Sequence, residues 1–127
     1  MAKAFPRRDI LYSLYNKLSD ICPKVYITNR PTSTPVEETN FIVIDITGTM
    51  SNKNAYQEAT LRIDLFRKDF AGGIEDVEGL DSLYSQLIVM FPIVTDEFTA
   101  ISPRLVSGGS DDKGFHYLMV YADILTK

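Results

Sequence analysis

Two β-strands joined by a polar turn are predicted by residues 41–66, FIVIDITGTM-SNKN-AYQEATLRIDLF. Apolar and polar side chains alternate in both halves of this stretch, which is the period-two pattern of strands with one buried face. We therefore predict a long β-hairpin with strands Phe41–Met50 and Ala55–Phe66. The polar residues 51–54 between them form the predicted turn.

The register of this hairpin follows from the positions of its apolar residues. A two-residue loop at 52–53 puts three apolar pairs on one face: Ile46 with Ala59, Ile44 with Leu61, and Ile42 with Ile63. On the other face, Asp45 and Arg62 become diagonal neighbours. A slip of one residue would set the isoleucines against polar partners, so the face of each residue is well specified.

The far end of the hairpin, Thr47–Glu58, is polar. At roughly 3.3 Å per residue a twelve-residue strand spans about 40 Å, which is longer than most strands. We therefore expect this ribbon to project beyond the core. An isolated two-stranded ribbon is marginally stable in water, so it would be mobile or held by another chain.

Two amphipathic helices and three further strands are predicted outside the hairpin. Apolar residues at three- and four-residue spacing indicate helices at Asp9–Ile21 and Ile74–Phe91, each closely followed by a proline. The strands are predicted at Val25–Thr28, Thr99–Ser107 and Phe115–Leu125. Together these elements make residues 1–127 one α+β domain of order α-β-β-β-α-β-β, with a mostly antiparallel sheet.

Composition excludes several classes of function. The 127 residues include 13 basic and 17 acidic side chains, and the resulting net charge of −4 argues against sequence-independent binding of nucleic acid. One cysteine excludes an internal disulfide, and one histidine excludes a metal site with two histidines. The basic start is not followed by the apolar segment of a signal peptide, and no apolar stretch has the length of a membrane span. We expect no cofactor and no metal.

Candidate catalytic residues are few. Gly72-Gly73 before the second helix is unsuited to phosphate, because acidic residues fill the first turn that follows. An enzyme would need a site that converges only in space, around His116, Asp45 and Asp64. Arg62 lies between the two aspartates in the predicted hairpin, which favours charge pairing over metal binding. We therefore predict a protein that is not an enzyme.

Apolar side chains are predicted on both faces of the sheet. The last strand alternates Leu118, Val120, Ala122 and Ile124 on one face with Phe115, Tyr117, Met119 and Tyr121 on the other. Two helices can cover one face fully but both faces only thinly, so an interface with other chains is one interpretation. The alternative is that the helices divide between the faces and leave no patch. The residues predicted for an interface are Arg7, Arg8, Phe41, Val43, Met50, Tyr56, Phe66, Tyr117 and Tyr121.

The arrangement of these elements resembles the tail-terminator and tail-completion proteins of long-tailed bacteriophages. These are small α+β proteins with an amphipathic first helix, an early strand, a loop with prolines, a long hairpin, a second helix and a terminal hairpin. The corresponding stretches here are Ile10–Ile21, Val25–Thr28, Pro31–Pro35, Phe41–Phe66, Val77–Phe91 and Ala100–Leu125. The likeness covers nearly the whole chain and is one of pattern and length.

The resemblance implies a structural virion protein, assembled in the host cytoplasm, that catalyses nothing. Such a protein forms a ring with copies of itself, typically a hexamer, which ends the tail tube and joins it to neck or connector proteins. DNA only passes through the channel, and no membrane is involved. The contact elements would be Lys3–Arg8, Arg30–Glu38 and Thr47–Glu58. The alternatives are a head–tail connector protein of the neck and a stand-alone bacterial binding or adaptor domain.

Overall fold

Two helices and six strands form in the computed structural model, which describes residues 5–30, 39–52 and 57–126. The helices are α1 (Arg7–Leu18) and α2 (Val77–Ile88). The strands are β1 (Val25–Ile27), β2 (Asn40–Asn52), β3 (Gln57–Lys68), β4 (Ile93–Val94), β5 (Phe98–Ser110) and β6 (Phe115–Thr126). The predicted α+β class and element order are confirmed, and the two-residue strand β4 is an addition to them.

All six strands belong to one sheet of order β1-β2-β3-β6-β5-β4. Only β1 and β2 are parallel, and every other neighbouring pair is antiparallel. The final strand β6 lies between β3 and β5, so the end of the chain occupies the middle of the sheet. The mostly antiparallel sheet is therefore confirmed.

The predicted register of the β2–β3 hairpin is wrong by two residues. The observed pairs are Ile42 with Leu65, Ile44 with Ile63, and Ile46 with Leu61. An even shift leaves every side chain on its predicted face, which explains why the alternation could not reveal it. Asp45 consequently lies directly opposite Arg62 instead of diagonal to it. The pairing also shifts between Thr47 and Ser51, an irregularity that the assumed two-residue loop did not include.

The far end of the hairpin, Thr47–Glu58, was expected to project beyond the core as an isolated two-stranded ribbon. For β3 this expectation is wrong. Strand β3 pairs with β6 from Glu58, opposite Leu125, to Lys68, opposite Phe115. The Gln57 amide also donates a hydrogen bond to Thr126 Oγ1 at 2.9 Å. Because β6 is as long as β3, the far end of the hairpin is supported by a third strand. Residues 53–56, which connect β2 to β3, lie outside the described residues.

Both helices pack on the same face of the sheet. Helix α1 lies against β1 and β2, and α2 lies against β3 and β6. The buried side chains between the helices and this face are chiefly Ile10, Leu11, Leu14 and Leu18 of α1, Leu83 and Leu87 of α2, and Ile42, Ile44, Ile46, Leu61, Ile63, Leu65, Val120, Ala122 and Ile124 of the sheet. The alternative in which the helices divide between the two faces is therefore wrong. Neither α1 nor α2 covers the second face.

Helix α2 begins at a carboxylate cap. Asp76 precedes its first residue and accepts a hydrogen bond from the Gly79 amide at 2.9 Å, and Arg67 Nε donates to the same carboxylate at 2.8 Å. A Cβ atom at Gly79 would lie 2.6 Å from Arg67 Nε, so only glycine fits there without displacing the ion pair. These bonds stabilise the start of α2, three residues later than the sequence predicted. They also fill the helix N-terminus with a carboxylate, which agrees with the argument against phosphate.

Candidate interaction surface

The sheet face opposite the helices carries most of the residues predicted for an interface. We call it the open face, and its strand residues in the described part include Tyr26, Phe41, Val43, Asp45, Arg62, Asp64, Phe66, Arg104, Phe115, Tyr117, Met119, Tyr121 and Asp123. One end of the open face is aromatic, and its middle carries charged groups. The two regions differ in their exposure.

The aromatic end of the open face is a small core of its own. Phe41, which is fully buried, stacks on Phe66 with ring centroids 4.4 Å apart. It also meets Phe115 edge-on at 5.2 Å and Tyr26 at 5.7 Å. Tyr117 packs against Phe66 at the edge of the cluster, at 5.6 Å. Ring pairs in such edge and stacked arrangements stabilise the packing beyond the area that they bury.

Arg30 covers this aromatic cluster. Its guanidinium lies 4.8 Å from the ring centroid of Phe41, 5.0 Å from that of Phe66 and 5.7 Å from that of Phe115. The same guanidinium forms an ion pair with Asp111, which lies 81 residues further along the chain. A planar cation is suited to this position, because it can stack on rings and bind a carboxylate at once.

Asp111 is held firmly at this position in the turn between β5 and β6. Its Oδ1 accepts hydrogen bonds from the amides of Lys113 at 2.7 Å and Phe115 at 3.0 Å. Burial raises the pKa of the Asp111 carboxyl, but the bonds from Arg30 and the two amides outweigh it, so that this pKa lies below its ordinary value. The Arg30–Asp111 pair therefore ties the segment after β1 to the β5–β6 turn.

Burial separates the predicted interface residues into groups. Phe41, Val43 and Phe66 are buried within the chain itself, while Tyr117 and Tyr121 are half-buried. In this conformation the first three offer little surface to a partner, and the role of all five at an interface stays a prediction. The Met50 side chain, Tyr56, residues 31–38 of the predicted contact loop and Lys3 lie outside the described part of the chain.

The middle of the open face holds a polar cavity of about 150 Å³. It is lined by Thr28, Asn29, Val43, Asp45, Arg62 and Asp64. Arg62 Nη2 lies 2.8 Å from Asp64 Oδ2, and Arg7 Nη2 donates to Asp45 Oδ1 at 3.1 Å and to Thr28 Oγ1 at 3.3 Å. The predicted basic start is thus ordered at Arg7, which begins α1 and reaches over to the sheet.

Burial changes the pKa values of Arg62 and Asp64 in opposite directions, and their mutual bond opposes it in both. Loss of water raises the pKa of Asp64, and the bond from Arg62 lowers it by less, so the pKa stays above its ordinary value. The pKa of Arg62 is raised, chiefly by its bond to the Asp64 carboxylate. Each aspartate of the cavity is paired with an arginine, so the cluster acts as two ion pairs. The predicted pair of Asp45 and Arg62 is wrong, because Arg62 pairs with Asp64 and Asp45 pairs with Arg7.

His116 does not join Asp45 and Asp64. It lies opposite Arg67 near the start of β6, with its side chain on the helix side of the sheet, whereas both aspartates are on the open face. Its Nδ1 lies 2.5 Å from Asp69 Oδ1, and its Nε2 is 3.9 Å from Glu75 Oε1. The hypothetical catalytic site of His116, Asp45 and Asp64 is therefore wrong, because the sheet separates its members.

The contact between His116 and Asp69 predicts a pH dependence of stability. The bond to Asp69 raises the pKa of His116 above its ordinary value, against a smaller opposing effect of burial. A raised folded-state pKa stabilises the fold below the unfolded value, and this contribution is lost as the pH rises through the folded-state value. We expect His116→Gln to destabilise the protein more at pH 5.5 than at pH 8.5 in urea unfolding. An equal loss at both pH values would contradict this assignment.

Nine large apolar side chains of the described residues are exposed, including Val89 after α2 and Val94 on β4. Tyr12 and Tyr15 lie on the outer side of α1, close to the predicted interface residue Arg8. Phe70 and Ile74 lie on the turn that leads into α2, Val77 is the first residue of α2, and Leu105 and Val106 lie on β5. Only Arg8 of these residues was predicted. Leu105 and Val106 lie at a strand irregularity, and Phe70, Ile74 and Val77 lie at the border of α2, where periodicity gives no face assignment, whereas Tyr12 and Tyr15 lie within α1.

The described residues contain neither a cluster of metal ligands nor a membrane-spanning helix. No group of three or more His, Cys, Asp or Glu side chains is placed to hold a metal ion. Neither of the described helices has the length and apolar character needed to cross a membrane.

The comparisons with known proteins concern the fold alone. No family model matches the chain, and no curated protein matches it. Nineteen solved chains are similar in structure. One of them has a TM-score of 0.63 and 10% sequence identity, over 97% of this chain and 97% of its own, and its name describes no function. At that identity the match shows that the fold also occurs elsewhere, over the full length of a chain of similar size.

Proposed function

We propose that this chain is a non-enzymatic structural protein of a phage or prophage virion. Copies of it form a ring that terminates the tail tube and joins it to the neck or head. The order of its elements, which resembles that of tail-terminator proteins, supports this proposal. A match to a solved structure over nearly the whole of both chains agrees with a domain that acts as a single unit.

The observation that carries the proposal is the set of exposed apolar side chains on separate elements. Contiguous exposed apolar clusters are typical of protein interfaces, whereas single exposed apolar side chains also occur on monomers. A ring needs two different surfaces on every copy, because each subunit contacts the next in a head-to-tail manner. Exposed apolar side chains on α1 (Tyr12, Tyr15), before and at the start of α2 (Phe70, Ile74, Val77) and on β5 (Leu105, Val106) offer more than the two surfaces that a ring requires.

The work of such a ring is mechanical. One side of the ring covers the last layer of tail-tube subunits and stops further addition, and the other side presents a new surface to the neck. The net charge of −4 suits a channel through which DNA must pass without adhering.

Co-expression with the tail-tube protein encoded in the same genome tests this function. We expect electron micrographs of the purified tubes to show a ring at one end and tubes shorter than those grown without the chain. A ring that binds only the head-side connector would support the neck alternative instead. A chain that forms no ring and binds neither tube nor connector would contradict the proposal.

A further inference from the structure

We propose that neighbouring copies of the chain contact each other through two particular surfaces. One is the turn that leads into α2, and the other is the outer side of α1 on the next copy. This inference rests on the proposed ring and names the contact that builds it. It is carried by the match in charge and apolar character between the two surfaces.

The first surface, which we call the apolar turn, consists of Phe70, Ile74 and Val77 with Glu78 and Asp81 beside them. Its three apolar side chains are 58%, 62% and 54% exposed. The Phe70 amide donates to the Ile74 carbonyl at 2.8 Å, as an isolated antiparallel bridge. Directly paired residues in such a bridge carry their side chains on the same side.

The carboxylates of Glu78 and Asp81 continue this surface along α2. Both residues are exposed. Asp81 follows Val77 by four positions and is its neighbour on the helix surface, and Glu78 is three positions before Asp81 and adjoins it in turn. The apolar turn is therefore an exposed hydrophobic surface with two carboxylates beside it. A partner surface for it has to be apolar and basic.

The second surface, which we call the aromatic stripe, consists of Arg8, Tyr12 and Tyr15. These residues follow one another at four- and three-residue spacing, so they line one side of α1. The Arg8 guanidinium lies 5.7 Å from the centroid of the Tyr12 ring. The two tyrosines are 54% and 40% exposed. Tyrosine and arginine are among the residue types most enriched at protein interfaces.

The two surfaces complement each other and not themselves. Tyrosine rings of the stripe can cover the apolar turn while Arg8 approaches Glu78 or Asp81. Two apolar turns in contact would instead bring like charges together, which is unfavourable. Because the complementary surfaces lie on different helices of one chain, each copy can use both at once, as a closed ring requires.

Reversal of charge on each side tests this contact. We expect R8E and E78R each to raise the concentration for half-maximal assembly at least about tenfold, because each places like charges opposite one another. The double variant R8E/E78R should assemble within about threefold of the wild-type concentration, since the pair is restored with opposite polarity. Sedimentation velocity over a dilution series measures all four proteins.

Matched controls are available elsewhere on the surface. K113E and E97R reverse exposed charges outside both surfaces, and we expect them to assemble as the wild type does. D81R replaces E78R if the latter unfolds, as judged by circular dichroism. If the wild type forms rings but the single variants assemble normally, or the double variant fails to recover, this contact is wrong while the ring stands. A wild type that stays monomeric would overturn both proposals.

Discussion

Replacing Phe41 with alanine is expected to lower the free energy of unfolding by about 3–5 kcal/mol. Phe41 is fully buried and contacts three aromatic rings as well as the Arg30 guanidinium, so its loss leaves a cavity under the arginine. Urea unfolding in dilute solution measures the change. Val89→Ala is the control, because Val89 is 80% exposed and lies outside both proposed contact surfaces, so the expected cost is below about 1 kcal/mol.

The Phe41 variant also separates two roles for this residue. The sequence predicted Phe41 at an interface, whereas the structure buries it within its own chain. If Phe41→Ala leaves the stability of the monomer unchanged and abolishes assembly, the interface role is correct. Loss of monomer stability instead assigns Phe41 to the second core on the open face.

Replacing Arg30 with alanine is expected to cost about 2–4 kcal/mol, since three cation–π contacts are lost and Asp111 loses its charged partner. The side chains of Arg30 and Asp111 are 19% and 8% exposed, so water replaces little of what is removed. Arg30→Lys keeps the charge without the planar group and should have an intermediate effect. Thermal and urea unfolding of the three proteins measure these differences.

The exposed pair of Arg104 and Asp123 provides the control for Arg30. These side chains are 47% and 45% exposed, with Nη2 and Oδ1 3.1 Å apart. An exposed ion pair contributes little, so Arg104→Ala should cost less than about 1 kcal/mol. Equal costs for Arg30→Ala and Arg104→Ala would contradict the view that Arg30 closes an aromatic core.

The hairpin shows what alternation can and cannot predict. The period of two placed every isoleucine of β2 on the helix side, and the structure agrees. A shift of the register by two residues leaves this period unchanged. The pairing of Ile44 with Ile63 instead of Leu61 could therefore be predicted only if the length of the turn were known. The pairing of β3 with β6 could not be predicted either, because the order of strands in a sheet does not follow from the local sequence pattern.

The arrangement on the open face depends on contacts between distant parts of the chain. The apolar residues of both sheet faces were predicted, but an amphipathic helix fits either face, so the pattern could not place α1 and α2 together. Arg30 was placed in a contact loop only because the resemblance to tail-terminator proteins implies one. Its position over Phe41, Phe66 and Phe115 depends on Asp111, which lies 81 residues away and has no local signal in the sequence. The function likewise depends on more than the fold, because one fold serves many functions.

The mass of the purified chain in solution tests the central claim most directly. A ring of six copies at 14.3 kDa each has a mass of about 86 kDa. Native mass spectrometry, supported by light scattering across a dilution series, should find a closed oligomer near that mass with few species larger than it. A single species of 14.3 kDa at every concentration would show that one copy suffices, and the proposed ring would be wrong.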